Sequence, residues 1–487
     1  MKITLIYVQS IEGNNVIPPL GLMYVAAVVK QAGHNVQLMD VDPDHIDVIK
    51  KISKFSPDLI GLSFLTTEFK KAYALSHKLR AAFPHVTLCS GGVHTTVDTE
   101  NVLRKFTIDF CVVGEGEMTF LEVCKRIEAG QSYKGVRGIC FLQDNQLVRN
   151  PQRELIKDLD SVPFPARDLV DFPNIYLTFP GMFRGKYIRS TAVMAGRGCY
   201  FNCSFCSVDK MFGRDYRLRN PANILQEIIL LQKIYGIKGV YFIDSTLTSN
   251  KNWIISFCEE IIRKNIKFIW AGTTRVNTVN KEMLQLMKRS GCVQIDYGVE
   301  SGSPKILKLL NKGISPEDAV SAIKMTHDVG IRVGATFIIG NPDEQLSDLE
   351  MTFDLAKKLK ANYTVFFFSV PFPGTRLWDI AKEHKLIPED VSYDTQWNIR
   401  PAELPLMAEH IPAEKLQFYR AKFQNYFFMR NYFDLNNVIV QFRLLYLMLI
   451  NLNITWREIK RVIKHKRWDS FVEAILVAYR KSLYRYY

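Results

Sequence analysis

Three cysteines within eight residues, Cys199, Cys203 and Cys206, constrain this 487-residue chain more than any other feature. They lie in Gly196-Arg197-Gly198-Cys199-Tyr200-Phe201-Asn202-Cys203-Ser204-Phe205-Cys206, a glycine-opened loop that follows a predicted strand. The spacing C-x3-C-x2-C lets three thiolates bind three irons of a [4Fe-4S] cubane and leaves the fourth without a protein ligand, whereas iron–sulfur proteins generally offer four cysteines. A vacant iron suits a chelating small molecule. Soft thiolates also suit zinc. A structural zinc site, however, takes four closed ligands, typically as two pairs, and no second Cys or His pair stands near this loop. The other six cysteines, Cys89, Cys111, Cys124, Cys140, Cys258 and Cys292, stand singly in apolar surroundings and read as small buried hydrophobes.

The chain around the loop has an α/β rhythm. Residues 1–145 alternate apolar runs (3–8, 36–39, 59–64, 86–89, 110–113) with helical patterns such as 20–31 and 70–83. Strands alternating with helices predict a parallel sheet with βαβ crossovers, in which ligands bind at the carboxyl ends of the strands. Gly91-Gly92 and Gly114-Glu115-Gly116-Glu117 fall directly after two of those strands. A strand pair at 138–142 and 146–148 turns at Asp144-Asn145, and a proline-bearing linker occupies 146–184. Residues 185–395 repeat the rhythm, with strands expected at 192–195, 239–243, 268–272, 294–299, 332–339 and 363–370. Six such units predict a partial (β/α)6 barrel whose active face is the carboxyl end of its strands. The remainder, 396–487, is helical, aromatic and basic.

With Phe205 at the aromatic position, the cysteine loop resembles the signature of the radical S-adenosylmethionine (SAM) superfamily. Tyr241 to Thr248, containing Asp244, resembles the family's second barrel strand and the loop after it. Gly298-Val299-Glu300-Ser301-Gly302 resembles the end of the fourth strand, beside the ribose and methionine parts of SAM. The run Gly334 to Pro342, containing Gly340, resembles the fifth-strand motif near adenine, and Arg275 stands where relatives carry an arginine after strand three. The resemblance covers residues 190–375. It implies that the cluster reduces SAM and releases a 5′-deoxyadenosyl radical, which takes hydrogen from an unactivated carbon. Taken singly these residues have plainer readings. Gly298 and Gly302 permit a tight turn, and a lone Glu300 is commonly a solvated carboxylate.

Pro18-Pro19-Leu20-Gly21-Leu22, Ala32-Gly33-His34-Asn35-Val36, Gly91-Gly92-Val93-His94 and Val113-Gly114-Glu115-Gly116-Glu117 form an ordered series. It resembles the Rossmann-like cobalamin-binding domain that precedes the barrel in one class of these enzymes. The resemblance implies a corrin resting on Gly21, Ser63, Thr66, Gly91, Gly92, His94, Gly114, Glu115 and Gly116. No His here has the Asp two residues earlier that some cobalamin proteins use to supply a cobalt ligand, so cobalamin with no histidine below the metal is expected. By itself His94 reads as a packing or hydrogen-bonding residue.

The resemblance therefore implies cobalamin-dependent methyl transfer to an unactivated carbon. Cyclisation or rearrangement is the enzymatic alternative, and a cobalamin or cluster sensor the non-catalytic one. The formal charge of +14 favours an anionic partner. Lys460, Arg461, Lys464, Lys466 and Arg467 interleave with Trp456, Trp468 and Phe471, a pattern that fits a peripheral membrane interface as well as a solvated barrel cap. The expected partners are a small-molecule or lipid substrate and an external electron donor. Nucleic acid is not expected, because no recognition fold accompanies the charge. No run of ~18 uncharged apolar residues occurs and the first residues enter a strand directly, which together predict a reducing, cytoplasmic setting.

Overall fold

The computed structural model describes residues 1–9, 17–44, 46–177, 183, 188–387 and 407–432, with the single positions 449, 452, 456 and 459. The N-terminal unit is a seven-stranded sheet in the order β2-β1-β3-β4-β5-β6-β7. Its strands are β1 (Lys2–Val8), β2 (Asn35–Val41), β3 (Leu59–Phe64), β4 (Thr87–Gly91), β5 (Phe110–Val112), β6 (Ile139–Gln143) and β7 (Gln146–Arg149). The first five are parallel and the last two are added antiparallel. The helices between them are α1 (Leu20–Gln31), α2 (Val48–Phe55), α3 (Phe69–Ala82), α4 (Val93–Val97), α5 (Thr99–Lys105) and α6 (Gly116–Glu128). The 2-1-3-4-5 order reverses direction between β1 and β3, so the carboxyl ends of those strands open a crevice. The hairpin expected at 138–148 is present and extends the sheet through β7, past residue 145. Helices α4 and α5 had no strong periodic signal.

The connection carries α7 (Phe172–Tyr176) into a six-stranded parallel sheet in the order β15-β14-β13-β12-β11-β8. Its strands are β8 (Ser190–Val193), β11 (Gly239–Phe242), β12 (Ile269–Thr274), β13 (Cys292–Glu300), β14 (Arg332–Ile339) and β15 (Tyr363–Phe368). This is the predicted open barrel. Its first strand lies two residues earlier than expected, because Gly196–Arg197 leave the sheet as β9 and pair with β10 (Arg217–Leu218). Helix α8 (Val208–Phe212) follows the cysteine loop. The crossovers are α9 (Pro221–Tyr235), α10 (Lys251–Lys264), α11 (Lys281–Arg289), α12 (Pro304–Leu309), α13 (Pro316–Asp328) and α14 (Leu346–Leu359). Local chemistry sets their ends. Asn220 caps α9 before Pro221, and Gly236 closes it in the left-handed region. Ser315 and Asp318 form a capping box on α13. Helix α15 (Arg376–Glu383) follows β15, and α16 (Ala413–Tyr432) packs against that strand with Phe423 stacked on Phe353.

One apolar core runs from the N-terminal sheet into the barrel. Within it, Glu227 of α9 accepts from Arg167 of the connection at 2.6 Å and from Arg219 at 2.6 Å, and all three side chains are buried. Removing one partner of such a group strands charge away from water. We expect Glu227→Ala to cost about 3–5 kcal/mol of stability, read as a lowered urea midpoint of the metal-free protein.

The basic aromatic tail lies outside the described residues apart from the four single positions. Among the described residues no helix is long and apolar enough to cross a membrane.

Candidate cluster and cofactor site

The site starts from a buried carboxylate. Asp244, just beyond β11, accepts the backbone N–H of Ala195 at 2.9 Å, that of Gly196 at 2.5 Å and the Tyr216 hydroxyl at 2.9 Å. Burial pushes its acid up to about 6, and those three donors oppose the rise. Asp244 thereby bends the chain out of β8 into β9 and on to the cysteines. Gly198 follows at φ +94°, where an added Cβ would stand 2.2 Å from the Asp215 carbonyl oxygen, so no other residue fits. The far side of the loop is pinned by backbone bonds. Ser204 N–H donates to Leu310 O at 2.9 Å, and Leu377 N–H donates to Ser204 O at 2.8 Å.

Cys199, Cys203 and Cys206 are half-buried and free, whereas the six scattered cysteines are all buried, as expected of packing residues. Cys199 Sγ lies 3.8 Å from Thr246 Oγ1. Burial, then Cys203 and Cys199 beside it, push the Cys206 thiol up to about 11, so metal binding there displaces a proton. Among the described residues no three His, Cys, Asp or Glu side chains converge tightly on one point. A cubane does not need that convergence, because each iron takes its own thiolate. The donor set therefore fits a cluster.

Three of the expected SAM-site residues gather at the same loop. Arg275 donates to Cys203 Sγ at 3.1 Å, lies 3.8 Å over the Phe201 ring and also donates to the Lys312 carbonyl. Glu300 stands at φ +68°, at the register break that ends β13, and its carboxylate meets Lys312 Nζ at 2.6 Å. Lys312 Nζ in turn lies 5.7 Å from the centre of the Phe205 ring. A non-glycine residue in the left-handed region at a strand end is strained and marks a constrained site. Lys312 and Phe201 were missed by sequence reasoning. The only local signal for Lys312 was its position in the Asn311-Lys312-Gly313 turn.

The other expected contacts act from beneath. Both Asp244 oxygens are engaged by the backbone and Tyr216, so it is a positioning residue. Ser301 is fully buried and bonds Thr352 Oγ1 at 3.0 Å. Gly340, at φ +77°, leaves room for Leu416 of α16 and donates its N–H to Glu344 Oε2 at 2.5 Å. Glu344 also accepts from Asn341 N–H at 2.8 Å, and burial pushes it up to about 7.

In the N-terminal unit the expected glycines line the strand ends. A Cβ at Gly21, in the first turn of α1, or at Gly114 would meet nothing within 4 Å, and Gly114 stands at φ +76°, so both face open space. Gly92, at φ +92°, abuts the Ser63 hydroxyl, which joins the β3 and β4 ends. Such a cradle fits a bulky flat ligand. His94 turns inward. It is buried with its ring 5.1 Å from Phe69, Nδ1 lies 3.0 Å from Thr66 Oγ1, and burial pushes it down to about 4, so it stays neutral. Thr66 is held in the same contact. Gly91 and Gly116 bracket the β5 end, where a Cβ on either would meet Val112 at 3.6 and 3.5 Å. Glu115 faces the barrel rather than the crevice, accepting from Arg197 at 3.1 Å and from Arg217 at 2.9 Å.

Comparison with known proteins agrees with this arrangement. The B12 binding domain family matches residues 8–124 and the Radical SAM superfamily matches residues 193–356. An uncharacterized methyltransferase of Pyrococcus horikoshii is 34% identical over 76% of this chain and 80% of its own length. The anaerobic magnesium-protoporphyrin IX monomethyl ester cyclase of Rubrivivax gelatinosus is 29% identical over 74% of this chain and 66% of its own length. The solved structure of the radical S-adenosylmethionine methyltransferase TsrM from Kitasatospora setae, with cobalamin and a [4Fe-4S] cluster bound, superposes with a TM-score of 0.65 at 20% identity, over 78% of this chain and 75% of that one. The chain belongs to the radical SAM enzymes that carry an N-terminal B12-binding domain.

Two variants test the supporting residues. Asp244→Asn sets an amide N–H₂ against a backbone N–H, and cluster affinity should fall by about tenfold, read as iron per chain after anaerobic reconstitution and desalting. Glu344→Gln keeps an acceptor for Gly340 and Asn341 but does not titrate. The folded Glu344 holds its proton up to about 7, against 4.5 when exposed. The folded state thus binds the extra proton, and wild-type stability relative to the variant should fall as pH rises from 4.5 to 7 and level off above. The change is on the order of 3 kcal/mol, measured by paired urea titrations.

Proposed function

We propose that this chain transfers a methyl group to an unactivated carbon of a small-molecule or lipid substrate, using a [4Fe-4S] cluster, SAM and cobalamin. The observation that carries this reading is the shared location of the two half-sites. The three-cysteine loop and the open glycine loops of the other unit pack on each other through Arg197. The methyltransferase among the relatives supports the same outcome.

Cys199, Cys203 and Cys206 would hold the cluster, and the crevice over Gly21, Gly92 and Gly114 would hold cobalamin. Once bound, these groups supply one-electron reduction of SAM and a transferable methyl group. The protein's part is placement and exclusion of water. Arg275 puts a positive charge and an N–H on Cys203, which offsets the negative charge gathered on thiolates. Glu300, fixed by Lys312, presents a carboxylate at the strand end where relatives hold the ribose. Asp244 and Ser301 keep the two loops in place. His94, neutral and buried, bonds Thr66 of the β3–α3 loop.

A second reading, ring closure without methyl transfer, is favoured by the cyclases among the relatives. The two separate in one anaerobic experiment. Reconstituted protein with cobalamin, SAM and dithionite should yield both 5′-deoxyadenosine and S-adenosylhomocysteine. Deoxyadenosine without homocysteine product supports cyclisation, and neither product overturns the radical reading. Cys203→Ala should lose the cluster absorbance and reduce deoxyadenosine to background, measured by iron assay and chromatography.

A further inference from the structure

We propose that Arg197 couples the two cofactor sites, so that a cluster on Cys199, Cys203 and Cys206 raises the affinity of the glycine loops for cobalamin, and cobalamin steadies the cluster in return. The proposal rests on the reading above that the chain takes both groups.

Arg197 lies two residues before Cys199. Its guanidinium is buried and forked between two carboxylates of the other unit, Nη1 at 3.1 Å from Glu115 and Nη2 at 2.6 Å from Glu117. It packs 5.2 Å from the Tyr24 ring of α1 and 5.8 Å from the Phe212 ring of α8. Glu115 also accepts the Ile156 N–H at 2.8 Å and Arg217 at 2.9 Å, which ties in β10 and the connection. The opposite flank of the cysteine loop is attached to the same place. Thr96 Oγ1 donates to Gly92 O at 2.8 Å, accepts from Gly114 N–H at 3.0 Å and touches Met211 Sδ of α8 at 3.6 Å. Both ends of the loop that would hold iron thus rest on the two glycine loops that would hold the corrin.

The physics makes this contact stiff. A buried guanidinium cannot leave its carboxylates without stranding charge away from water. The loops on either side are rich in glycine (Gly196, Gly198, Gly114, Gly116), the residue that loses most backbone freedom on ordering. A ligand that orders one loop therefore spares the second ligand part of that cost, and the linkage is reciprocal.

The test uses the full chain under anaerobic conditions, before and after reconstitution with iron and sulfide, titrated with hydroxocobalamin and followed by corrin absorbance after ultrafiltration. The dissociation constant should fall by about fivefold or more on cluster loading, and hydrogen exchange across residues 110–118 should slow in parallel. Arg197→Lys, which loses the fork, and Glu117→Gln, which loses a charge but keeps an acceptor, should each bring the ratio close to one. If Arg197→Lys fails to take up iron, Glu117→Gln decides. Equal constants with and without the cluster in wild type, or an unchanged ratio in Glu117→Gln, overturn the coupling and leave the proposed function standing. Failure of hydroxocobalamin to bind in either state overturns the cobalamin reading itself.

Discussion

A carboxylate kept dry and filled with donors controls the geometry of this molecule. Asp244 lies two residues past the end of β11, yet its oxygens bond the backbone just beyond the neighbouring strand β8. Parallel strands ordinarily hand the chain upward into a crossover. Here the bond to Ala195 and Gly196 turns it sideways into a two-residue ribbon with β10. That ribbon places Gly198 hard against Asp215 and sends three cysteines over the mouth of the barrel. An acid in such a place resists ionisation, and its pKa near 6 reflects burial winning over three donors. The cost is accepted because no apolar side chain could hold two adjacent N–H groups at once.

Much of this was open to reading from the chain, and the parts that were not share a cause. The cysteine loop was legible because its meaning lies in covalent spacing. The two sheets were legible because apolar runs alternated with helical periods, and the glycine loops because they follow strands. By contrast, the pairing of Glu115 with Arg197 joins residues 82 apart, and nothing local distinguishes those side chains from solvated charges. Glu115 was expected in the cobalamin crevice on sequence order alone, and its carboxylate instead faces the barrel domain. Lys312 was passed over for the same reason: its partner Glu300 is reached only when α12 folds back on β13. Asp244 and Ser301 stood in the right motifs, but motif order does not say whether a side chain meets a ligand or the loop that presents it.

Four of the buried carboxylates share one pattern. Glu115, Glu117, Glu227 and Glu300 each meet a cation, and Glu227 and Glu115 are held below the usual carboxylate range by their arginines despite burial. Such pairs add little net stability over apolar packing, yet they punish misplacement, because any shift strands an ion. They are therefore suited to fixing loops whose backbone is made permissive by glycine. The apolar core joins the two units, and the ion pairs set their register.

What separates one member of this family from another must then lie away from these fixtures. Under the proposed function the cluster loop, Asp244 and the Glu300 turn serve to generate and aim a reactive species, a task common to a methyltransferase and a cyclase. The barrel interior between them carries a hydrogen-bonded set of polar groups: Tyr241 donates to Asp296 at 2.5 Å, Gln294 donates to the same carboxylate at 3.1 Å, and Gln294 lies 3.5 Å from the Tyr363 hydroxyl. Three of the six strands of this sheet, β11, β13 and β15, supply these groups, and Gly334 of β14 leaves the space that Tyr363 fills. A polar, hydrogen-bonded floor of this kind fixes the shape and wetness of the space above it without entering the radical chemistry. Function on this fold is set by the local site rather than by the sheet, and here the cysteine loop lies beyond the strands while this polar network lies within them.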